Sequence, residues 1–159
     1  MILPAPCPFC DVGCGRARSC AVWEDDDLLA FLDRNPIRPG HLQLISKLHY
    51  AYFDDLPAYL TSRFFLTGQL LAKRTKPVLG VARVGFVCTG GDVAHAHAHL
   101  MPLHAKTDVT SLRYFEEGDI KVAQPAPEGW DALEVQVVEF RKAFRDWPGK
   151  CAFPGKFST

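Results

Sequence analysis

Three histidines recur at strict two-residue spacing in the run Val93-Ala94-His95-Ala96-His97-Ala98-His99-Leu100-Met101-Pro102. In an extended strand alternate side chains share a face, so the three imidazoles point one way while Ala96 and Ala98 point the other. Imidazole exchanges protons near neutral pH, attacks electrophiles when neutral and binds metals. The row therefore suits a proton-transfer or nucleophilic site, a metal site, or a set of inert hydrogen bonds. Strand rise separates His95 from His99 by roughly 13 Å, too far for one zinc with bonds of about 2 Å to hold all three. Half of the chain's six histidines sit here, and a reactive site accounts for that concentration better than packing does.

A second concentration lies at the start, where Cys7, Cys10, Cys14 and Cys20 make up four of the six cysteines. No basic-then-apolar leader precedes them, so metal binding or free thiols are expected rather than disulfides. Cys88 and Cys151 stand alone and read as inert thiols. The pair Cys7-x-x-Cys10 supplies only half of a tetrahedral zinc site and leaves the rest of the ligand set open.

The elements that must position these groups are short. Residues 1–18 read as loop, broken by Pro4, Pro6, Pro8, Gly13 and Gly15. Strands are expected over 20–23 and 28–32 around the acidic turn Glu24 to Asp27, and over 41–46 after Pro39-Gly40. Asp54 or Asp55 can cap a helix with Pro57 in its first turn. The spacing of Leu56, Leu60, Phe64, Leu70 and Leu71 carries that helix to Lys73. A fourth strand is expected over 81–88, with the histidine strand pairing back on it after Thr89-Gly90-Gly91, and a last helix over 130–144. This pattern predicts an α+β fold, an antiparallel sheet of about five strands with one long helix and a C-terminal helix.

At 159 residues, with 48% hydrophobic and 23% charged, the chain suits one domain over 1–159 that buries roughly 70% of its unfolded surface. A formal charge of zero argues against broad binding to nucleic acid. No apolar run approaches the ~20 residues of a membrane span. A cytoplasmic location is the expectation.

In this order the blocks resemble the histidine triad (HIT) superfamily of nucleotide hydrolases and transferases. Its signature, His-x-His-x-His followed by two apolar residues, is similar to His95-Ala96-His97-Ala98-His99-Leu100-Met101, with Pro102 in the usual next place. Ala30-Phe31-Leu32-Asp33-Arg34-Asn35-Pro36 with Pro39-Gly40-His41 and Lys47-Leu48-His49 resembles the nucleoside-binding half, and Cys7-Pro8-Phe9-Cys10 the opening of many bacterial members. The likeness covers about residues 5–108; the helix and tail of 128–159 lie outside it. It implies that His97 attacks the α-phosphate of a dinucleoside polyphosphate or nucleoside phosphoramidate, forming a nucleotidyl-histidine, and that His99 supports the phosphate or protonates the leaving group. It further implies that Asp33 binds the ribose hydroxyls of a purine nucleotide and that Phe9, Val12, Phe31 and Leu32 flank the base. Cys7, Cys10, His49 and His95 would hold a structural zinc, with no organic cofactor, and two chains would pair as a homodimer.

Some positions depart from that pattern. Gly90-Gly91-Asp92 replaces Gly-Gln-Ser, and Val84 stands where many relatives have asparagine. The arginine often following the proline is replaced by Leu103-His104. An ionised Asp92 repels phosphate instead of donating to it. Nucleotidyl transfer, or nucleotide binding with little turnover, are the alternatives to hydrolysis that these departures leave open.

Overall fold

The computed structural model describes residues 7–105, 108 and 127–146. Strands β1 (Cys20–Glu24), β2 (Leu28–Leu32), β3 (Leu42–Ser46), β4 (Arg83–Val87) and β5 (His97–Leu103) form one sheet in the order β1-β2-β3-β5-β4. Every neighbouring pair is antiparallel. Helices α1 (Pro8–Gly13), α2 (Ala58–Leu79) and α3 (Trp130–Phe144) complete the expected α+β architecture.

Strand alternation splits the apolar residues between two faces. Leu28, Ala30 and Leu32 on β2, Leu42 and Leu44 on β3, Ala96 just before β5, and Ala98 and Leu100 on β5 meet Leu60, Phe64 and Leu71 of α2 and Leu133, Val137, Phe140 and Phe144 of α3. The other face carries a smaller patch, Leu29, Phe31 and Ile45, covered by Phe9 and Val12 of α1. Each fully buried Leu or Phe contributes about 1.5–3 kcal/mol relative to exposure, so the two-helix side anchors the sheet.

Several expected boundaries change, each for a local reason. Residues 8–13 wind into α1 because Pro8 occupies the first turn, where a missing N–H costs little. Asp54 and Asp55 lie in a 3-10 turn, where Asp55 accepts from the Tyr52 N–H at 3.1 Å. Pro57 is the residue that precedes α2, and α2 runs past Lys73, through Pro77, to the left-handed Gly80 at φ 64°. Strand β4 is shorter than 81–88, and β5 begins only at His97. Residues 91–95 bend, yet Ala96 still donates to Tyr50 O at 2.6 Å and accepts from Ser46 N–H at 3.3 Å. The Trp147-Pro148-Gly149 tail and Cys151 lie outside the described residues.

Two features fix the entry to β3. Gly40 has φ 79°, and a Cβ there would fall 2.3 Å from Leu79 Cδ1 at the end of α2. Arg38 donates to Asp108 Oδ1 at 2.6 Å, and Asp108 Oδ2 accepts from the N–H groups of His104 and Ala105 at 2.8 Å each. The Arg38 guanidinium, with the Ala105 and His104 amides, holds the Asp108 carboxyl down to about 2. The clamp ties the β2–β3 turn to the end of β5. Among the described residues no helix is long and apolar enough to cross a membrane.

Candidate active site

Pairing of β5 with β3 puts His97 opposite Ile45 and His99 opposite Gln43. The two imidazoles share a face, their centroids 5.1 Å apart. His95 reaches the same side from the bend before β5, and the Phe9 ring meets both His95 and His97 edge-on at 5.8 and 5.0 Å. The expected alternation holds even though His95 stands outside the ladder.

Each imidazole has one nitrogen committed. His95 Nε2 donates to Ser46 O at 2.7 Å, which leaves Nδ1 as a lone pair. That lone pair faces Cys7 Sγ at 3.4 Å and Cys10 Sγ at 3.6 Å, while His49 Nδ1 lies 3.3 Å from Cys10 Sγ. His97 Nδ1 donates to His95 O, so its lone pair is on Nε2. His99 Nδ1 lies 3.1 Å from both His41 Nε2 and Gln43 Nε2, and its Nε2 lies 3.5 Å from Thr89 Oγ1.

The four candidate zinc ligands come together, all donor atoms within 4.8 Å of one another. Zinc bonds of about 2.3 Å to sulfur and 2.0 Å to nitrogen at a tetrahedral angle place S and N about 3.5 Å apart. The observed separations match that spacing. Burial, followed by its contact with Cys7, pushes the Cys10 thiol up to about 11, a cost that a bound cation reverses. Burial holds His95 below its ordinary value, so it is neutral and able to ligate. Cys14 is exposed and stands outside this set.

A cavity of about 490 Å³ opens in front of His97 and His99, a size suited to a small-molecule ligand. Phe9, Val12, Phe31, Asp33 and Asp92 all line it. Leu32 lines it too, but packs mainly in the two-helix core, facing away from Phe31. His95 lies outside this cavity and borders a crevice of about 90 Å³ that it shares with His97 and Tyr52.

Gln43, Thr89 and Trp130, which the sequence alone did not mark, also line the large cavity, as does His41. A signal for Gln43 exists: an amide between Leu42 and Leu44 in a strand buried throughout needs a specific partner. Its partner is Asp33 Oδ2, at 2.6 Å. Trp130 carries Arg18 at 4.5 Å and Arg34 at 5.3 Å over its ring, so α3 closes the far end of the cavity.

Residues 15–106, more than half of the chain, match the HIT domain family. The chain belongs to that family. Family members are in general nucleotide hydrolases and transferases. An uncharacterized HIT-like protein of Methanocaldococcus jannaschii is 32% identical over 100 residues, 60% of this chain and 78% of that protein. Adenylylsulfatase HINT3 of Arabidopsis thaliana is 28% identical, the match covering 60% of this chain and 51% of the plant protein. Adenosine 5'-monophosphoramidase HNT1 of Saccharomyces cerevisiae is 30% identical over 63% of this chain and 64% of its own length. Among solved structures, a HIT-like protein of Bartonella henselae has a TM-score of 0.72 at 22% identity, covering 90% of this chain and 99% of that one. A zinc-bound histidine triad family protein of Mycobacterium smegmatis has a TM-score of 0.68 at 22% identity, covering 87% and 93%. Both structures share the fold.

His41 gives this HIT site a pH signature. Burial lowers it from its ordinary 6.5 to about 4, despite Asp33 Oδ2 at 3.3 Å from Nδ1, so near neutrality the two do not form an ion pair. The unfolded chain takes up the proton first, so this contribution to stability is lost as pH falls from 6.5 towards 4. The urea midpoint should drop across that window and drop less steeply in His41→Gln. Equal slopes for the two proteins would contradict this.

Proposed function

We propose that the protein is a nucleotide hydrolase or nucleotidyl transferase in which His97 is the nucleophile. The observation that carries this is the His97 Nδ1–H bond to His95 O, which leaves a lone pair on Nε2 of a residue lining the cavity. Nε2 attacks the α-phosphorus, a P–N bond forms, and the bond to the leaving group breaks as that group takes a proton from His99. Water or an acceptor then attacks the same phosphorus, gives its proton back to His99 and releases His97. The His95 carbonyl steadies the positive imidazole of the intermediate.

Asp33 takes the ribose hydroxyls, because a carboxylate accepts from two neighbouring O–H groups. Phe9, Val12 and Phe31, with Leu32 behind them, receive a purine base. Asp92 on the cavity wall repels extra negative charge. That ranks nucleoside phosphoramidates above longer dinucleoside polyphosphates, both of which remain substrate classes of this reading. The relatives named as an adenylylsulfatase and an adenosine 5'-monophosphoramidase support adenosine nucleotides.

Zinc belongs to the same reading, held by Cys7, Cys10, His49 and His95, and the zinc-bound mycobacterial relative supports it. Those ligands pin α1, and with it Phe9, beside the start of β5. The metal's chemistry is structural. We read the chain as one domain, since α3 shares its core with β1–β5 and α2. Reduced thiols fit a cytoplasmic location. Exposed Phe65, Leu66 and Leu70 on α2, beside edge strand β4, fit a homodimer that continues the sheet across a two-fold axis.

Adenosine phosphoramidates and dinucleoside polyphosphates, incubated with wild type, should give a nucleotidyl adduct by intact mass. His97→Ala should lose the adduct and at least about 10³-fold in kcat. Nucleotide binding without an adduct or turnover would contradict the catalytic reading. Untagged protein should contain close to one zinc per chain, and Cys10→Ser should melt several degrees lower; zinc near zero excludes the site. Sedimentation should give a dimer that Leu66→Glu dissociates, and a monomeric wild type would overturn that assembly.

A further inference from the structure

We propose that Gln43 is a positioning residue that places the proton of His99 on Nε2, and so makes His99 the proton donor of the reaction proposed above. Gln43 lies across from His99 in the β3–β5 ladder and is only 5% exposed. Its amide has two possible orientations, and Asp33 decides between them. A carboxylate oxygen only accepts, so the group 2.6 Å from Asp33 Oδ2 must be the NH₂ and not the carbonyl. The opposite orientation sets two acceptors against each other. The chosen one leaves Gln43 Oε1 buried without a hydrogen-bond partner among the described residues, so the Asp33 contact outweighs that loss.

The second hydrogen of the same NH₂ is directed at His99 Nδ1, 3.1 Å away. Nδ1 must then be the lone pair, and a neutral His99 carries its proton on Nε2. His41 Nδ1 lies 3.3 Å from both Ile37 N and Asp33 Oδ2, and its Nε2 lies 3.1 Å from His99 Nδ1, so the Gln43 amide and not His41 carries the assignment. The donor-acceptor order is therefore Asp33 accepting, Gln43 donating twice, and His99 accepting at Nδ1 and donating at Nε2.

The consequence is a division between neighbours. His97 has its proton on Nδ1 and its lone pair on Nε2; His99 has the reverse. One offers an electron pair and the next, 5.1 Å away, offers a proton. The two amide hydrogens are aimed at Asp33 Oδ2 and His99 Nδ1, so Asp33, Gln43 and His99 form one hydrogen-bond relay. The charged or titratable groups around His99 are Asp33, His41, His97 and Asp92.

The test uses zinc-replete protein labelled with ¹⁵N in histidine, with long-range ¹H–¹⁵N correlation at neutral pH and no nucleotide. Wild-type His99 should be protonated on Nε2 and bare at Nδ1. Gln43→Glu, sharing one proton with Asp33, turns its other oxygen as an acceptor towards His99 and should move the His99 proton to Nδ1, while Gln43→Leu should give a mixture. A wild-type His99 protonated on Nδ1, or one tautomer unchanged in all three proteins, overturns the proposal. In kinetics, Gln43→Leu should lose at least about tenfold more kcat on an adenylate with a poorly departing amine than on one with a nitrophenol leaving group. Equal losses on both would mean that Gln43 only shapes the site, and would overturn the proposal. Absence of wild-type turnover would instead fault the enzymatic reading, because the tautomer measurement needs no substrate.

Discussion

Everything in this site depends on the alternation of one short segment, residues 95–100. Ala96, Ala98 and Leu100 are pinned in the core beneath α2 and α3, so the imidazoles between them have no choice but the opposite face. A one-residue slip of β5 against β3 would place alanines in the cavity and histidines among leucines. The packing that stabilises the sheet is thus the same packing that aims the chemistry. The clamp of Arg38 on Asp108 and the tight turn at Gly40 guard that register from the neighbouring strand.

Alternation alone would give three equivalent imidazoles. What separates them is the partner of each ring's second nitrogen. Ser46 O, His95 O and the Gln43 amide are respectively an acceptor, an acceptor and a donor, and they lie at different ring positions. Neutral imidazole has one proton for two nitrogens, so fixing one end determines the other. On the proposed reading, three copies of one side chain in one short segment therefore present a metal ligand, a lone pair and a proton. Burial keeps His95, His99 and His41 below their ordinary values, which preserves these neutral forms near pH 7.

The order of strands and long helices was legible from apolar periodicity, because β2, β3 and the core side of α2 are dominated by burial. The boundaries that moved are those decided by tertiary partners. Pro8 tolerates a helix only because α1 has the sheet to lie on, and α2 outlasts Lys73 until Gly80 ends it. At the site, histidine spacing and Cys7-x-x-Cys10 announced themselves through residue type. Gln43 did not, since a lone amide has no spacing pattern, and its meaning arises from Asp33 and His99, which are distant in sequence. Trp130 was hidden for the same reason, being on a helix outside the likeness that the other motifs carried.

The central claim is that the histidines divide their labour, with His95 at a structural metal and His97 at phosphorus. Single-turnover formation of the nucleotidyl adduct, compared in zinc-loaded and chelator-stripped protein below the melting range of both, tests it directly. His95 keeps its Nε2–H bond to Ser46 O without a metal, so the stripped protein should be less stable yet form adduct at a comparable rate per folded molecule. Loss of the adduct from a protein that is still folded, restored by adding zinc, would contradict that division.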